Sequence, residues 1–367
     1  MKINLIFFLS RFTYGGAGLS IFKLCKALPK NKYNINIICL NECSFDGEFK
    51  KLKIKVFKLR YKKTFFAMPQ IFFLIKKILK NRYKKNILIS NINYTNVLSI
   101  IFLRLIDNLK IVLVERTPLE ELNIYFSKID FLKKKFIKFL IGIFYKFSDE
   151  IICNSKTIVK QYKEKFNIKS KSINPPSLVN FSKFNPKKIK DKKNIIITTI
   201  CRLSNEKGIK IILNALKISK IKNFKFYIVG DGEEKNNLIN LSKKLQISKN
   251  IKFFGLQKKI NPILRKTNLF INSSYFEGFP NSVVEAINFN IPVICSQSYG
   301  GINEILLNGK CGTIFRNGDP KDLSNELNKF YLNPNKFYLM SKIAKVNIKK
   351  FSLQKNLTSY NKLFEKI

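Results

Sequence analysis

The stretch EGFPNSVVEAI, residues 277 to 287, sets Glu277 and Glu285 eight positions apart in a chain where Lys and Arg outnumber Asp and Glu by 69 to 23. Pro280 suits the first turn of a helix, which puts Glu285 inside that helix and leaves Glu277 in the loop before it. Amides around Asn281, Ser282 and Val283 would then face a phosphate, with the two carboxylates free to accept hydrogen bonds from hydroxyls on either side of it. A second stretch, ICRLSNEKGI, spaces Arg202 and Lys207 five apart on a turn leading into a helix. Two cations so placed could grip a diphosphate, each charge-assisted bond being worth about 1.5–3 kcal/mol. Acids near a helix start also suit its dipole, so the glutamates alone decide nothing.

Three further loops carry weaker signals. In SRFTYGGAGLS, Gly15 and Gly16 follow an apolar run and open a helix, where glycine lets backbone amides approach an anion; a bare tight turn reads the same way. The pattern is not G-x-G-x-x-G, so no dinucleotide fingerprint is present. In CSQSYGGINEIL, Gly300 and Gly301 precede Asn303 and Glu304 and say little alone. VLVERTP places Glu115 and Arg116 just beyond an apolar run.

These loops need a frame that holds them at strand ends. Short apolar runs ending in Gly, Ser or Asn alternate with stretches of helical period, the pattern of a parallel sheet covered by helices. Strands are expected near 3–9, 34–40, 54–59, 86–90, 110–115 and 150–155, then 194–200, 225–230, 251–255, 269–274, 292–296 and 312–315. Between 172 and 188 three prolines with Asn and Ser break both periods, which makes that stretch the linker between two doubly wound halves. At 367 residues two domains are also the default for length.

Composition narrows the chemistry. A formal charge of +46 suggests a nucleic-acid binder, but 61 of the 69 basic residues are lysines spread evenly along the chain, with no groove-reading cluster. There is no histidine, so no imidazole takes part in any mechanism, and the seven scattered cysteines form no Cys-x-x-Cys pair. Reduced thiols in the cytoplasm fit that set. The opening MKINLIFFLSR is expected to be a buried first strand rather than a secretory signal, its apolar run being short and without a small-residue cleavage site. No uncharged apolar stretch reaches the length of a membrane span.

Taken together, the loops resemble a known family. E-G-F-P-N-S-V-V-E-A is similar to the Glu-x7-Glu motif of family 4 retaining glycosyltransferases, also called glycosyl transferases group 1. R-L-S-N-E-K-G at 202–208, V-G-D-G-E at 229–233, F-F-G at 253–255 and P-V-I-C-S with G-G-I-N-E-I at 292–305 agree in order. The likeness is strong over most of the second half and weak over the first. It implies an α/β chain of GT-B fold, two Rossmann-like doubly wound domains facing across a cleft: residues 1–180 binding the acceptor, 190–345 binding a nucleotide-sugar, and a helix in 346–367 returning to the first domain.

Carried over position by position, the resemblance gives Arg202 and Lys207 the donor diphosphate, Glu285 the ribose hydroxyls and Glu277 the donor sugar. Gly15, Gly16, Gly278, Phe279, Pro280, Asn281 and Ser282 complete the donor site. The donor is a nucleotide-sugar such as a UDP- or GDP-sugar. No cofactor and no metal is expected, since cations and a helix N-terminus can stabilise the departing diphosphate; Asp-Gly-Glu at 231–233 is read as a structural turn. Retention of anomeric configuration is expected. Some members carry a first-domain histidine that this chain lacks, and Glu115 resembles the Ser-Glu-Arg-Asn segment of polysaccharide-building members, orienting or deprotonating the acceptor while Arg116 meets an acceptor phosphate. A structural ion pair between the two is the other reading.

Two first-domain segments, 63–85 and 131–147, interleave Lys with Phe, Ile, Leu and Tyr, as a helix lying on an anionic membrane does; core helices with lysine-rich outer faces would look alike. The acceptor is therefore expected to be a glycan, lipid-linked, in cell-surface polysaccharide or lipopolysaccharide assembly. The place of work is the cytoplasm, with peripheral contact at the inner face of the cytoplasmic membrane and no nucleic-acid partner. The alternatives are a nucleotide-sugar epimerase of the same fold, which would need no acceptor, and a basic nucleic-acid-binding protein with a steep salt dependence.

Overall fold

A computed structural model describes residues 1–81, 83–125, 127–186 and 194–367. The chain divides into two compact units, Met1–Val179 with Leu353–Ile367, and Asn180–Ser352. The boundary at residue 179 lies inside the proline-rich stretch, whose last two residues, Lys187 and Lys188, lie outside the described residues, as does Arg82 in the segment 63–85. The chain re-enters the first unit at Leu353, and residues 346–352 stay with the second.

The first unit is built on seven strands: β1 (Ile3–Phe8), β2 (Tyr33–Cys39), β3 (Lys55–Lys58), β4 (Lys85–Asn91), β5 (Lys110–Glu115), β6 (Glu150–Cys153) and β7 (Lys171–Ser172). Its helices are α1 (Gly16–Ala27), α2 (Asp46–Lys51), α3 (Thr64–Leu79), α4 (Asn93–Leu103), α5 (Lys128–Phe144) and α6 (Lys156–Phe166). The strand order is β3-β2-β1-β4-β5-β6-β7, with every pairing parallel. Because helices cover both faces, β1 is buried at all six positions, and an apolar core lies on each side of the sheet. Asn4 crosses this apolar sheet safely because Asn34, Asn36 and Asn86 share its amide at 2.8–2.9 Å, so no buried polar group there is left to its own desolvation.

The second unit repeats the plan with β8 (Ile195–Ile200), β9 (Phe224–Val229), β10 (Ile251–Gly255), β11 (Leu269–Asn272), a short β12 (Phe276–Glu277), β13 (Val293–Ser296), a short β14 (Tyr299–Gly300) and β15 (Thr313–Phe315). The helices are α7 (Ile209–Ile218), α8 (Lys235–Lys244), α9 (Asn261–Leu264), α10 (Asn281–Asn288), α11 (Ile302–Leu306), α12 (Pro320–Leu332) and α13 (Pro334–Asn347). The last helix, α14 (Leu353–Lys366), belongs to the first unit, where Tyr360, Leu363 and Phe364 join the core beneath α1. The main sheet runs β10-β9-β8-β11-β13-β15, again with parallel pairs.

In both sheets the first strand of the unit sits beside the fourth, and the order reverses there. Ligands of open parallel sheets bind beyond the carboxyl ends of strands at such a reversal. The fold therefore singles out four loops: those after β1 and β4 in the first unit, and those after β8 and β11 in the second. Among the described residues no helix is long and apolar enough to cross a membrane.

Candidate active site

The two motif loops of the second unit meet at its reversal point. The loop after β8 carries Lys207 and the loop after β11 carries Glu277, and Lys207 Nζ donates to Glu277 Oε1 at 2.7 Å although the two lie 70 positions apart. Ser274 Oγ donates to the same carboxylate oxygen at 2.9 Å, and Ser273 Oγ donates to the Lys207 carbonyl at 2.9 Å, so each loop holds the other. Both charged side chains are mostly enclosed, 18% and 17% exposed. Burial, the largest single influence, pulls the Lys207 ammonium down, but the charge of Glu277 and its hydrogen bond outweigh it and hold the group above its ordinary value. Lys207 is thus a fixed cation at this site.

Arg202 is placed differently from Lys207. Its side chain is 68% exposed and paired with Glu206, while Nε donates to Ser204 Oγ at 3.2 Å. Burial pushes the Glu206 carboxyl up, but Ser204 and Arg202 together bring it below its ordinary value. The acid that tethers Arg202 was not singled out in the sequence, because a glutamate in a turn looks like any solvated one. The turn after β9 braces this loop: Leu203 N donates to Asp231 O and Glu234 N to Leu203 O, both at 2.9 Å. At Gly230, φ is 134° and a Cβ would stand 1.8 Å from the Cys201 carbonyl, so only glycine lets the two loops touch. Asp-Gly-Glu at 231–233 is therefore a bracing turn. Among the described residues no group of three or more Cys, Asp or Glu could hold a metal.

The motif helix α10 starts at Asn281 with no side-chain cap, and Pro280 is its N-cap rather than its first residue. The Pro280 carbonyl accepts from Val283 and Val284. Glu285 lies in the helix, half-buried, and Gly278 and Phe279 lead into it from β12. The loop of Gly300 and Gly301, which said little alone, turns out to be the floor of this one. Phe276 and Glu277 pair with Tyr299 and Gly300, and Gly301 N donates to Gly278 O at 3.0 Å. Gly300 has φ 121°, and a Cβ there would lie 1.6 Å from the Glu277 carbonyl. Two-residue strands carry no periodicity, so this pairing left no trace in the sequence.

In the first unit, Gly15 is the N-cap of α1 and Gly16 its first residue, again with no side-chain cap. A Cβ at Gly15 would meet only Thr13 Oγ1, at 3.4 Å, so the space above the first turn of α1 is open. Ile92, between β4 and α4 on the other side of the reversal, holds φ 75°. For a β-branched residue this is costly, of order 1–3 kcal/mol, and such strain gathers at functional sites.

The structure corrects the role expected of Glu115 and the ion pair with Arg116. Successive strand residues point to opposite faces, and Glu115 follows Ile111 and Leu113 into the core beneath α4, α5 and α6, where it is wholly buried. It accepts from Asn96 Nδ2 at 2.6 Å and from the Tyr145 hydroxyl, while Oε2 has no partner. Burial pushes its carboxyl from 4.5 up to about 7, with Tyr145, Asn96 and the nearby Tyr162 hydroxyl restraining the rise. A carboxyl sealed under three helices does not orient or deprotonate an acceptor. The ion-pair reading fails as well, since Arg116 turns to the other face and its Nε donates to Asn91 Oδ1 at 2.9 Å. Asn91 in turn donates to the Phe8 and Ile89 carbonyls, which fixes Arg116 at the β1–β4 reversal.

Comparison with known proteins agrees with this architecture. Residues 180–347 match the family model described as glycosyl transferases group 1, and residues 14–174 match that of glycosyltransferase family 4. An uncharacterised glycosyltransferase of Methanocaldococcus jannaschii is 32% identical over 312 residues, 78% of this chain and 73% of its own. The GalNAc-alpha-(1->4)-GalNAc-alpha-(1->3)-diNAcBac-PP-undecaprenol alpha-1,4-N-acetyl-D-galactosaminyltransferase of Campylobacter jejuni is 26% identical over 89% of this chain and 88% of its own. Among solved structures, Anabaena HepE in complex with UDP-glucose superposes with TM-score 0.80 at 19% identity, over 99% of this chain and 100% of HepE, which gives the fold alone. The α/β architecture expected from the sequence, GT-B, is the one found, and with two sheets of the same strand order, the Lys207–Glu277 loop pair and these relatives, the chain belongs to the family 4 glycosyltransferases, glycosyl transferases group 1.

Proposed function

We propose that this glycosyltransferase moves a sugar from a nucleotide-sugar to a glycan acceptor carried on a lipid, with retention of anomeric configuration and without a metal. The observation that carries the donor half is the Lys207–Glu277 pair, held by Ser273 and Ser274 next to the uncapped start of α10. As the sugar–oxygen bond breaks, the departing nucleoside diphosphate gains negative charge. Lys207 and the helix N-terminus stabilise that charge, Arg202 swings from Glu206 to join them, and no metal is needed for it. Glu277 exchanges its lysine for hydroxyls of the donor sugar, and Glu285 takes the ribose hydroxyls. Gly15 and Gly16 leave the start of α1 open to an anionic group such as a donor phosphate.

The acceptor half is supported by relatives named for undecaprenol-linked glycans and lipopolysaccharide, and by Arg116, fixed at the reversal point of the first unit, as the group that meets an acceptor phosphate. Such an acceptor sets the work at the inner face of the cytoplasmic membrane, with the enzyme bound peripherally. An epimerase or a nucleic-acid binder draws no support from the site.

Thermal unfolding with UDP and with GDP, each in EDTA, tests the donor half for the wild type and Lys207→Ala. A ligand that binds only the native state raises its stability by mass action. One nucleotide should stabilise the wild type in EDTA and not the variant. A shift that needs added divalent metal would sink metal independence, and no shift with either nucleotide would sink the diphosphate site. The anomeric proton couplings of the product decide retention.

A further inference from the structure

Helix α5 has two apolar faces, and only one is used by the fold. Ile137 and Ile141 are buried, with Leu140 and Phe144 packed beside them on the core of the first unit. Along the exposed flank Ile129, Leu132, Phe136, Phe139 and Ile143 recur at intervals of three, four, three and four, and each is 37–66% exposed. The outer side of a surface helix is normally polar. Here the outward stripe is as regular as the inward one, so lysine bias alone does not explain it.

A three-four stripe is also the seam of a paired helix, which makes a second copy of the chain the rival occupant. The residues flanking the stripe decide between them. Beside it stand Lys128, Lys133 and Lys135, all exposed, and the one acid of the helix, Asp130, is on the inward side with an ion pair to Lys134 at 3.1 Å. Two such helices would bring lysine against lysine, whereas an anionic surface meets them with the opposite charge. With 17 residues, one face of which is committed to the core, α5 lies along a bilayer and does not cross it.

We propose that the outward stripe of α5 is the surface by which the enzyme docks on an anionic phospholipid bilayer, its apolar side chains entering the headgroup boundary and its lysines meeting the lipid phosphates. This rests on the reading of a membrane-linked acceptor, and it names the element that brings the enzyme to it.

The test is flotation of the full-length protein with vesicles of phosphatidylcholine, with and without phosphatidylglycerol. The wild type floats with the anionic vesicles, and Leu132→Glu, Phe136→Glu, Phe139→Glu combined lowers the bound fraction at least about tenfold, as does Lys128→Gln, Lys133→Gln, Lys135→Gln combined. Phe136→Ser with Phe139→Ser is a milder variant, and thermal unfolding verifies that each still folds. Wild-type binding to anionic vesicles by every variant alike would overturn the proposal. So would a wild-type dimer in sedimentation velocity that the stripe variants abolish while no form binds vesicles. Transfer to a detergent-solubilised lipid-linked glycan is measured in parallel: stripe variants that keep it while losing vesicles support the proposal, and vesicle docking by a protein that glycosylates no lipid-linked acceptor upholds the docking surface while removing the acceptor reading.

Discussion

Glu115, at the end of β5, and Glu277, at the end of the short β12 that follows β11, are the same side chain and meet opposite fates. Glu277 stands in a loop beyond β11, beside the reversal of its sheet, and finds Lys207 coming from the loop beyond β8. Glu115 is the last residue within β5, one strand away from the reversal, and its side chain is delivered to the helix layer, where hydroxyl and amide groups receive it and no cation does. Past the strand end at the reversal, the carboxylate meets a cation from the neighbouring loop; at the end of β5, one strand over, it is core. Glu277 carried the stronger signal in the sequence and Glu115 the weaker one, and only the second unit holds its glutamate in contact with the neighbouring loop.

The comparison can be broken most sharply at the ion pair. Lys207→Ala should slow sugar transfer by about 10²–10³-fold, the effect of removing one preorganised charge from a developing anion. A loss of only a few-fold in nucleotide release at saturating donor would mean that the pair is structural, and that the two glutamates differ less than their surroundings suggest.

Next in size is the pH dependence of folding set by Glu115. Its folded-state pKa, about 7, is above the ordinary 4.5, so the folded chain holds the proton more tightly than the unfolded one. The resulting stabilisation is complete below pH 4.5 and is lost as pH rises through 7, amounting to about 3 kcal/mol from this group. With no histidine in the chain, that window is free of imidazole titration. Urea unfolding of the wild type should weaken between pH 5 and pH 8 by roughly this amount, whereas Glu115→Gln should be nearly flat and the more stable of the two at pH 8. A flat wild-type profile would mean that the carboxyl is not buried as described.

Gly300→Ala should cost about 2 kcal/mol or more, since it sets a methyl group against the Glu277 carbonyl in a backbone conformation that alanine avoids. Transfer should fall with it because the loop carrying Glu277 must shift. A variant of wild-type melting temperature would show that β14 is not the floor of the site. The smallest effect is expected at Arg202→Ala, about tenfold or less in transfer, because this side chain is mostly exposed and must leave Glu206 before it meets the diphosphate. A loss equal to that of Lys207→Ala would show that Arg202 carries as much of the developing charge as Lys207.

Much of this was legible in the chain itself. The twelve expected strands are all present, because a run such as INLIFF or KIVLVE is buried on both faces and needs no distant partner to be recognised. The loops holding Arg202, Lys207 and Glu277 follow strands as expected. What the sequence did not show were the two-residue strands at 276–277 and 299–300, the tether of Arg202 to Glu206, and the strained Ile92, since each depends on a segment that is remote or on a conformation without a residue signature.

Sequence alone determined the α/β class, the two-unit division, the family, the absence of imidazole chemistry and the positions of the two motif glutamates. The family came from motifs that resemble it, and the rest follows from periodicity, composition and local turn chemistry, which act over a few neighbouring residues. Tertiary structure alone decided which cation Glu277 meets, why Glu115 is core, why Gly300 must be glycine, and that the second apolar stripe of α5 faces outward. Each of those depends on what a fold brings from tens of residues away, and a side chain cannot declare its partner until the strand order has placed it.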